Sequence, residues 1–399
     1  MSLDYDIIIA GAGITGSTLA RALAPSGLRL ALIDPAPDAF KTAPASALNR
    51  QRFSAIYGGQ INALQRLDSW PETDDRSGQE FQRMHIWESQ NRAAIAFDST
   101  TLGQTRLGAV IGNEQLVSAL HSSIDSTRAT KINRGISAIS WPSPGAVSVV
   151  LDNGEQLSTR LLVAADGTNS NIRQQSRIDI DRRDYHQHAV VATVKPARHH
   201  NQTAWQKFLP SGPVAFLPLA DGYCSIVWST DSEHATALVS QSDEQFCEQL
   251  GDAINGQLGV IKESSMRFKF PLFRQQARRY CADRIALIGD AAHRIHPLAG
   301  MGANLGITDA LALAELINSH SSDPGNSALL ANYDRWRRSG VNSYLAAQEL
   351  LSSCYRWSAG SALRGLGVSL LNRSVLVKPE LLRQTIGLTG NLPQLMKLR

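Results

Sequence analysis

Residues 5–34 read YDIIIAGAGITGSTLARALAPSGLRLALID. Tyr5 to Ala10 form a nearly continuous apolar run rich in isoleucine, the pattern of a parallel strand covered on both faces. Gly11, Gly13 and Gly16 follow as GxGxxG, then a helical run, then a second strand closed by Asp34, eighteen residues beyond Gly16. Gly11 permits a tight turn, Gly13 lets a pyrophosphate approach the backbone, and Gly16 lets helix and strand pack closely. The helix start offers unpaired N–H groups to phosphates, and Asp34 is placed to accept hydrogen bonds from a ribose diol. The glycine motif alone is weak. Strand, glycines, helix and closing acid together predict a dinucleotide site and a Rossmann-like α/β fold.

The rest of the chain bounds what that fold serves. Its 399 residues allow two or three domains with ample core. A net charge of +4, without a dense basic patch in the body of the chain, argues against a nucleic-acid partner. The four cysteines, Cys224, Cys247, Cys281 and Cys354, are far apart and suggest no disulfide framework, so a cytoplasmic location is expected. MSLDYDIIIAGAG has no basic n-region and reads as a strand rather than a signal peptide. No apolar run reaches eighteen residues, so no membrane-spanning helix is expected.

Two further strand ends repeat the theme. LLVAADGTNSNIR places Asp166 and Gly167 at a strand tip, and RIALIGDAAHRIHPLAGMGANLG does the same with Gly289 and Asp290. The tips lie 155 residues apart from Gly11 to Asp166, and 123 from Asp166 to Gly289. A dehydrogenase using NAD alone would complete its nucleotide fold in one stretch. Here one parallel sheet is revisited by distant segments, and ligands bind outside the carboxyl ends of such strands. After the third tip, GANLGITDALALAELI carries apolar residues at helical spacing. Its start presents roughly half a positive charge.

Order and spacing of these motifs resemble the flavin-dependent aromatic hydroxylases with a p-hydroxybenzoate-hydroxylase-like fold, over nearly the whole chain. RQRFSAI, DGTNSNIR, YHQHAVVATV, GPVAFLPLADGYCSIVW and GDAAHRIHPLAGMGANLG sharpen the resemblance to the UbiH/UbiF/VisC family of ubiquinone-biosynthesis hydroxylases. The tail VKPELLRQTIGL looks most like the 2-polyprenylphenol 5-hydroxylase branch. The resemblance implies FAD as cofactor, NADH or NADPH as reductant and O2 as co-substrate. It implies that oxygen adds at flavin C4a and that the hydroperoxide passes one atom to a polyprenylphenol ring. It assigns Asp290 to the ribityl chain, and Pro297 to the isoalloxazine ring. Gly300, Gly302, Ala303 and Asn304 go to the helix start facing the N1–C2=O edge. Arg52 faces flavin and nicotinamide nucleotide, and Asp166 and Gly167 serve both. Asn113 matches a polar position near FAD, although Gly112 replaces the family glutamate before it. Met301 and Arg294 stand where the family has glutamine and threonine.

The expected architecture has a discontinuous FAD-binding domain (1–180 with 275–335), an antiparallel β-sheet substrate domain (181–274) and a helical C-terminal segment (336–399). Strand pieces within 80–110 are candidates to join the substrate layer. HAVVATVK, TAWQKFL, VAFLPL and YCSIVWS read as short strands separated by turns. Trp205, Phe208, Phe216 and Trp228 are candidates for a pocket wall, against a plain sheet-core reading. The resemblance favours Phe216, Leu217 and Pro218. His296 is the candidate base toward a phenol, against a backbone-bonding role; His293 reads as a packing or hydrogen-bonding residue. His186 and His188 lack a spaced acid or cysteine partner, so no metal site is expected. From Arg356 to Arg399 there are seven Lys or Arg and one acid, Glu380. This basic segment is either a helical cap or a contact with the inner face of the cytoplasmic membrane or with a quinone-biosynthesis complex. A prenyl reductase, a flavin halogenase (whose WxWxIP motif is absent) and a non-catalytic FAD scaffold are the competing functions.

Overall fold

The computed structural model describes residues 3–36, 52–71, 78–88, 94–124, 129–296, 300–319, 322–356 and 377–397. The chain opens with β1 (Tyr5–Ala10), α1 (Ile14–Ala22), β2 (Leu30–Ile33), β3 (Phe53–Tyr57) and α2 (Gly58–Arg66). Next come β4 (Gly78–Phe81), β5 (Arg83–Glu88), β6 (Ala94–Asp98), β7 (Gly108–Gly112), α3 (Asn113–Ile124) and β8 (Ala129–Ile132). A hairpin, β9 (Ile136–Ser143) with β10 (Ala146–Leu151), leads to β11 (Gln156–Ala164) and α4 (Asn171–Gln175). The middle holds β12 (Ile180–Pro196), β13 (Thr203–Leu209), β14 (Gly212–Pro218), β15 (Cys224–Asp231), α5 (Ser232–Ser240), α6 (Asp243–Ala253), β16 (Ile261–Ser264) and β17 (Phe268–Ala277). The chain then returns through β18 (Cys281–Ala282), β19 (Ile285–Leu287) and β20 (His293–Arg294) to α7 (Met301–Ser319), α8 (Ser327–Arg356) and α9 (Val377–Thr385).

The first sheet has a parallel centre in the order β19-β11-β1-β2-β8. Its strands end level: Ala10 pairs with Ala164 and Ile33, and Ala164 with Leu287. Ile7, Ile8 and Ile9 are wholly buried, as a strand covered on both faces requires. The second sheet runs β20-β17-β12-β15-β14-β13-β5-β6, with β16 also on β12. All its pairs are antiparallel except β13 with β5. The sheet therefore recruits β5 and β6 from early in the chain and β20 from just after Asp290. A third sheet, β3-β7-β4, lies in the first half of the chain.

Period-two alternation gives the second sheet two different faces. Val190, Ala192, Val194, Val214, Phe216, Ile226 and Trp228 pack with Leu238, Phe246 and Leu250 of α5 and α6 in one buried cluster. Leu217 points the other way and packs against the core that contains β1, β11 and α7. Phe216 and Trp228 are thus sheet core under the helices, which corrects their expected place in the pocket wall. Cross-strand pairing puts Trp205 opposite Phe216, on the helix-covered face.

Residues 377–397 close the fold. Leu382, Ile386 and Met396 are buried in the main core. Gly59 N–H donates to Ile386 O at 3.0 Å, Arg66 Nη1 to Leu395 O at 2.9 Å, and Trp336 Nε1 to Asn391 O at 2.9 Å.

Candidate active site

Strand order decides the site. Because β19, β11, β1 and β2 are consecutive neighbours, the tips carrying Gly289–Asp290, Asp166–Gly167, Gly11 and Asp34 lie side by side along one sheet edge. At the β1 tip, Gly11 has φ +105°, and a Cβ there would lie 2.3 Å from Ala165 O. A Cβ on Gly16 would lie 2.0 Å from Gly11 O, so the first helix touches its own turn. Gly13 is different: it is exposed, and nothing lies within 4 Å of where its Cβ would be. It is the N-cap of α1 and makes no side-chain cap hydrogen bond, so no capping side chain takes up the helix's first N–H groups. Asp34 Oδ2 accepts from Ala12 N–H at 2.7 Å and Oδ1 from Ala36 N–H at 2.9 Å, which fixes its carboxylate beside the turn.

The other two tips are tied to each other. Thr168 Oγ1 donates to Asp290 Oδ2 at 3.1 Å. Arg173, buried, donates from Nη1 to Ala291 O at 2.9 Å and from Nη2 to Thr168 O at 3.0 Å. Asp166 Oδ2 accepts from Ile172 N–H at 3.3 Å, whereas its buried Oδ1 has no hydrogen-bond partner. Burial pushes its carboxyl above the ordinary value. Asn113 begins α3, with its N–H on Arg52 O at 2.7 Å, and its buried Oδ1 also lacks a partner.

The start of α7 completes the edge. Gly302 has open space at its Cβ position, as Gly13 does. Asn304 is buried and fully used within the protein: Nδ2 donates to Ala55 O at 2.7 Å and Gly300 O at 2.9 Å, while Oδ1 accepts from Tyr57 N–H at 2.9 Å. Its side chain clips α7 to β3, leaving only backbone for a ligand. Ala303 is half-buried in the same turn, and Pro297 lies outside the described residues. His296 is buried, edge-on to Tyr185 with ring centres 5.1 Å apart, and its Nδ1 has no partner. Burial drives its pKa down to about 4, so the ring is neutral near pH 7.

A buried charge network beneath this edge escaped the sequence reading. Asp309 on α7 accepts from Gly289 N–H at 3.0 Å and from Arg337 Nε of α8 at 2.7 Å, and it contacts His293 Nε2 at 2.6 Å. His293 and Arg337 beside it hold its carboxyl below the usual range despite complete burial. The available signal was a lone acid in the apolar run NLGITDALALAELI, since a buried carboxylate must be paired. Gly306 was missed too. A Cβ there would lie 2.5 Å from Thr15 Oγ1, and one on Gly289 would lie 2.9 Å from the same atom. Thr15 is thus wedged between two glycines of the third segment.

An edge with two open helix starts, buried acceptors and three converging strand tips suits a long dinucleotide with a flat ring. A family model described as an FAD binding domain matches residues 4–347. The ubiquinone biosynthesis monooxygenase COQ6 of Homo sapiens is 31% identical over 433 residues, spanning 95% of this chain and 92% of that protein. The chain belongs to the family of FAD-dependent ubiquinone-biosynthesis hydroxylases: it is a flavoprotein monooxygenase with FAD as cofactor. Two solved structures share its fold. Pseudomonas aeruginosa PqsL, in complex with 2-aminobenzoylacetate, superposes with TM-score 0.76 at 24% identity, covering 91% of this chain and 99% of that one. The p-nitrophenol 4-monooxygenase PnpA of Pseudomonas putida gives 0.76 at 16% identity, covering 97% and 99%.

Proposed function

We propose that this protein hydroxylates the ring of a polyprenylphenol intermediate of ubiquinone synthesis, using NADH or NADPH and O2. The observation that carries the reading is the meeting of two unlike surfaces. A cofactor edge built from three strand tips adjoins the sheet face that bears Leu217, opposite the helix-covered face. Ala215, Leu217, Val191 and Val227 of that face are half-buried and apolar, a surface suited to a flat ring with a greasy chain. Likeness to the named COQ6 protein supports the pathway.

FAD, when bound, would supply the redox and oxygen chemistry. The chain's own residues hold and shield it. The N-terminus of α1 at Gly13 would receive the pyrophosphate, and Asp34 the adenosine ribose. Asp290, positioned by Thr168, takes the ribityl chain. The first turn of α7, at Gly300, Gly302 and Ala303, would present its positive helix end to the flavin ring. Asp166 and Asn113 offer unpaired acceptors, Gly167 leaves room beside them, and Arg52 stands over the approach. Neutral His296, with its unpartnered Nδ1, is placed to accept a hydrogen bond from the phenol O–H and so orient the ring. The apolar sheet face that bears Leu217 excludes water, with Pro218 ending β14 one residue along on the Phe216 side.

The test is lipid analysis of a strain lacking the gene, together with oxygen uptake by the purified protein. Accumulation of a prenylphenol lacking one hydroxyl, with NAD(P)H-dependent O2 uptake on adding that phenol, is the expected result. Unchanged quinone levels with no phenol-stimulated uptake would refute the proposal. Double-bond saturation without O2 uptake would indicate a reductase instead.

A further inference from the structure

Many arginines of the described residues are neutralised. Arg284 makes two 2.8 Å contacts with Asp323, and Arg183 and Arg274, paired across β12 and β17, both reach Glu349. Three arginines beside the cofactor edge are not. Arg52, Arg182 and Arg294 make no ion pair within 4.0 Å among the described residues. They stack on phenylalanines instead. Arg182 lies 4.0 Å and Arg294 4.3 Å from the centre of one ring, Phe273, and Arg52 lies 4.7 Å from that of Phe270.

Register explains the convergence. Arg182 of β12 and Arg294 of β20 both pair with Gln275 of β17, one from each side. Their side chains therefore leave the sheet in one row and lean over the ring two residues along. The row abuts the cofactor edge, because Gln275 Nε2 donates to Thr168 O at 2.8 Å and Thr168 Oγ1 donates to Asp290. Half-buried Arg294 is attracted by Asp290 and repelled by Arg52 and Arg182. Its one side-chain hydrogen bond, to Pro271 O, is long at 3.5 Å.

Arg52 and Arg182 are exposed and Arg294 is half-buried, and with Asp290 the one carboxylate among the described residues acting on Arg294 the like charges repel one another. A guanidinium held over an aromatic ring by cation–π attraction makes no hydrogen bond to it and keeps N–H donors for another acceptor. Paired donors of that kind match the oxygens of a phosphate. An apolar prenylphenol has no use for three cations. The flavin's own pyrophosphate is served at the β1 tip, two strands from β19. The anion that must visit this edge transiently belongs to the reductant.

We propose that Arg182 and Arg294, both over Phe273, form a seat for a phosphate group of the nicotinamide dinucleotide that reduces the flavin. The proposal rests on the reading above that such a dinucleotide is the reductant. Arg294 occupies a position where the family resemblance implies threonine, so the seat is a property of this chain rather than of the family pattern.

Two phosphates carry the same chemistry, the pyrophosphate and the 2′-phosphate of NADPH. Calorimetric titration of the FAD-loaded protein with ADP-ribose and with 2′-phospho-ADP-ribose separates them without requiring turnover. Arg182→Gln and Arg294→Gln should each weaken binding about tenfold or more, with flavin content and Tm near wild type. Arg294→Lys should recover part of the loss, and Arg134→Gln, on an exposed pair with Asp152, should change nothing. Loss for both ligands puts the pyrophosphate in the seat; loss for the 2′-phosphorylated ligand alone puts the 2′-phosphate there. Wild-type affinity for both ligands in the double variant overturns the seat and leaves the reductant reading intact. If the wild-type protein binds neither ligand and neither NADH nor NADPH bleaches the flavin, both proposals fall.

Discussion

At the scale of single residues, the site depends on groups whose charge is set by burial. Asp309 is wholly buried, with Arg337, His293 and Gly289 N–H around it. Asp309→Asn leaves a buried guanidinium uncompensated, so a stability loss of roughly 3–5 kcal/mol is expected, read as a fall in Tm. A loss below about 1 kcal/mol would mean that water or a neighbour takes over the charge. Histidines set the response to acid. Burial lowers both His200 and His296 to about 4. His200 is held neutral by geometry, with Nδ1 accepting from Gln202 N–H at 3.2 Å and Nε2 donating to Leu219 O at 2.8 Å. An unfolded histidine keeps its proton up to about pH 6.5, so between roughly 6.5 and 4 the unfolded chain binds more protons. Stability therefore declines as pH falls through that window. His200→Gln should flatten the slope of Tm against pH there; an unchanged slope would assign the decline to other groups.

At the scale of elements, glycines that look alike in the sequence do different work. Gly16→Ala drives a methyl into Gly11 O and should destabilise the apoprotein itself. Gly13→Ala meets open space, so the apoprotein should keep its Tm while FAD affinity drops, measured by flavin fluorescence on titration. If both variants lose Tm equally, Gly13 has a packing role. Strand faces allow a similar separation. Phe216→Ala empties buried core under α5 and α6 and should cost about 3–5 kcal/mol. Leu217→Ala, on the opposite face, should mainly raise KM for a prenylphenol. The motifs Gly11–Gly16, Asp166–Gly167 and Gly289–Asp290 were legible because strand-end turns have local steric rules. The two faces of β14 were not, because alternation shows that neighbours point apart without saying which side holds the helices.

At the scale of the whole molecule, the C-terminal segment has two parts to be tested differently. Residues 377–397 are structural. Removing them strips Leu382, Ile386 and Met396 from the core, about 1.5–3 kcal/mol for each buried side chain, and should lower Tm sharply. A truncation would therefore confuse anchoring with unfolding. The basic segment 357–376 lies outside the described residues. Arg364→Gln with Arg373→Gln is the cleaner test of a membrane contact: co-sedimentation with anionic vesicles should fall at unchanged Tm, and unchanged sedimentation would exclude these charges as the anchor. Among the described residues, no helix is long and apolar enough to cross a membrane.

The sequence by itself determined the nucleotide-binding unit, its return to one sheet at two later points, and the family to which those motifs point. These follow from short-range rules: glycine where the backbone turns or must be approached closely, unbroken apolar runs where strands are covered twice. Only the tertiary structure decided which distant side chains meet. Asp309 finds Arg337 across two helices, Arg182 and Arg294 converge on Phe273 from strands more than a hundred residues apart in the chain, and Phe216 packs under α5 and α6 while Leu217 packs on the opposite face against the main core. Each outcome rests on sheet register and helix packing, which no local pattern encodes.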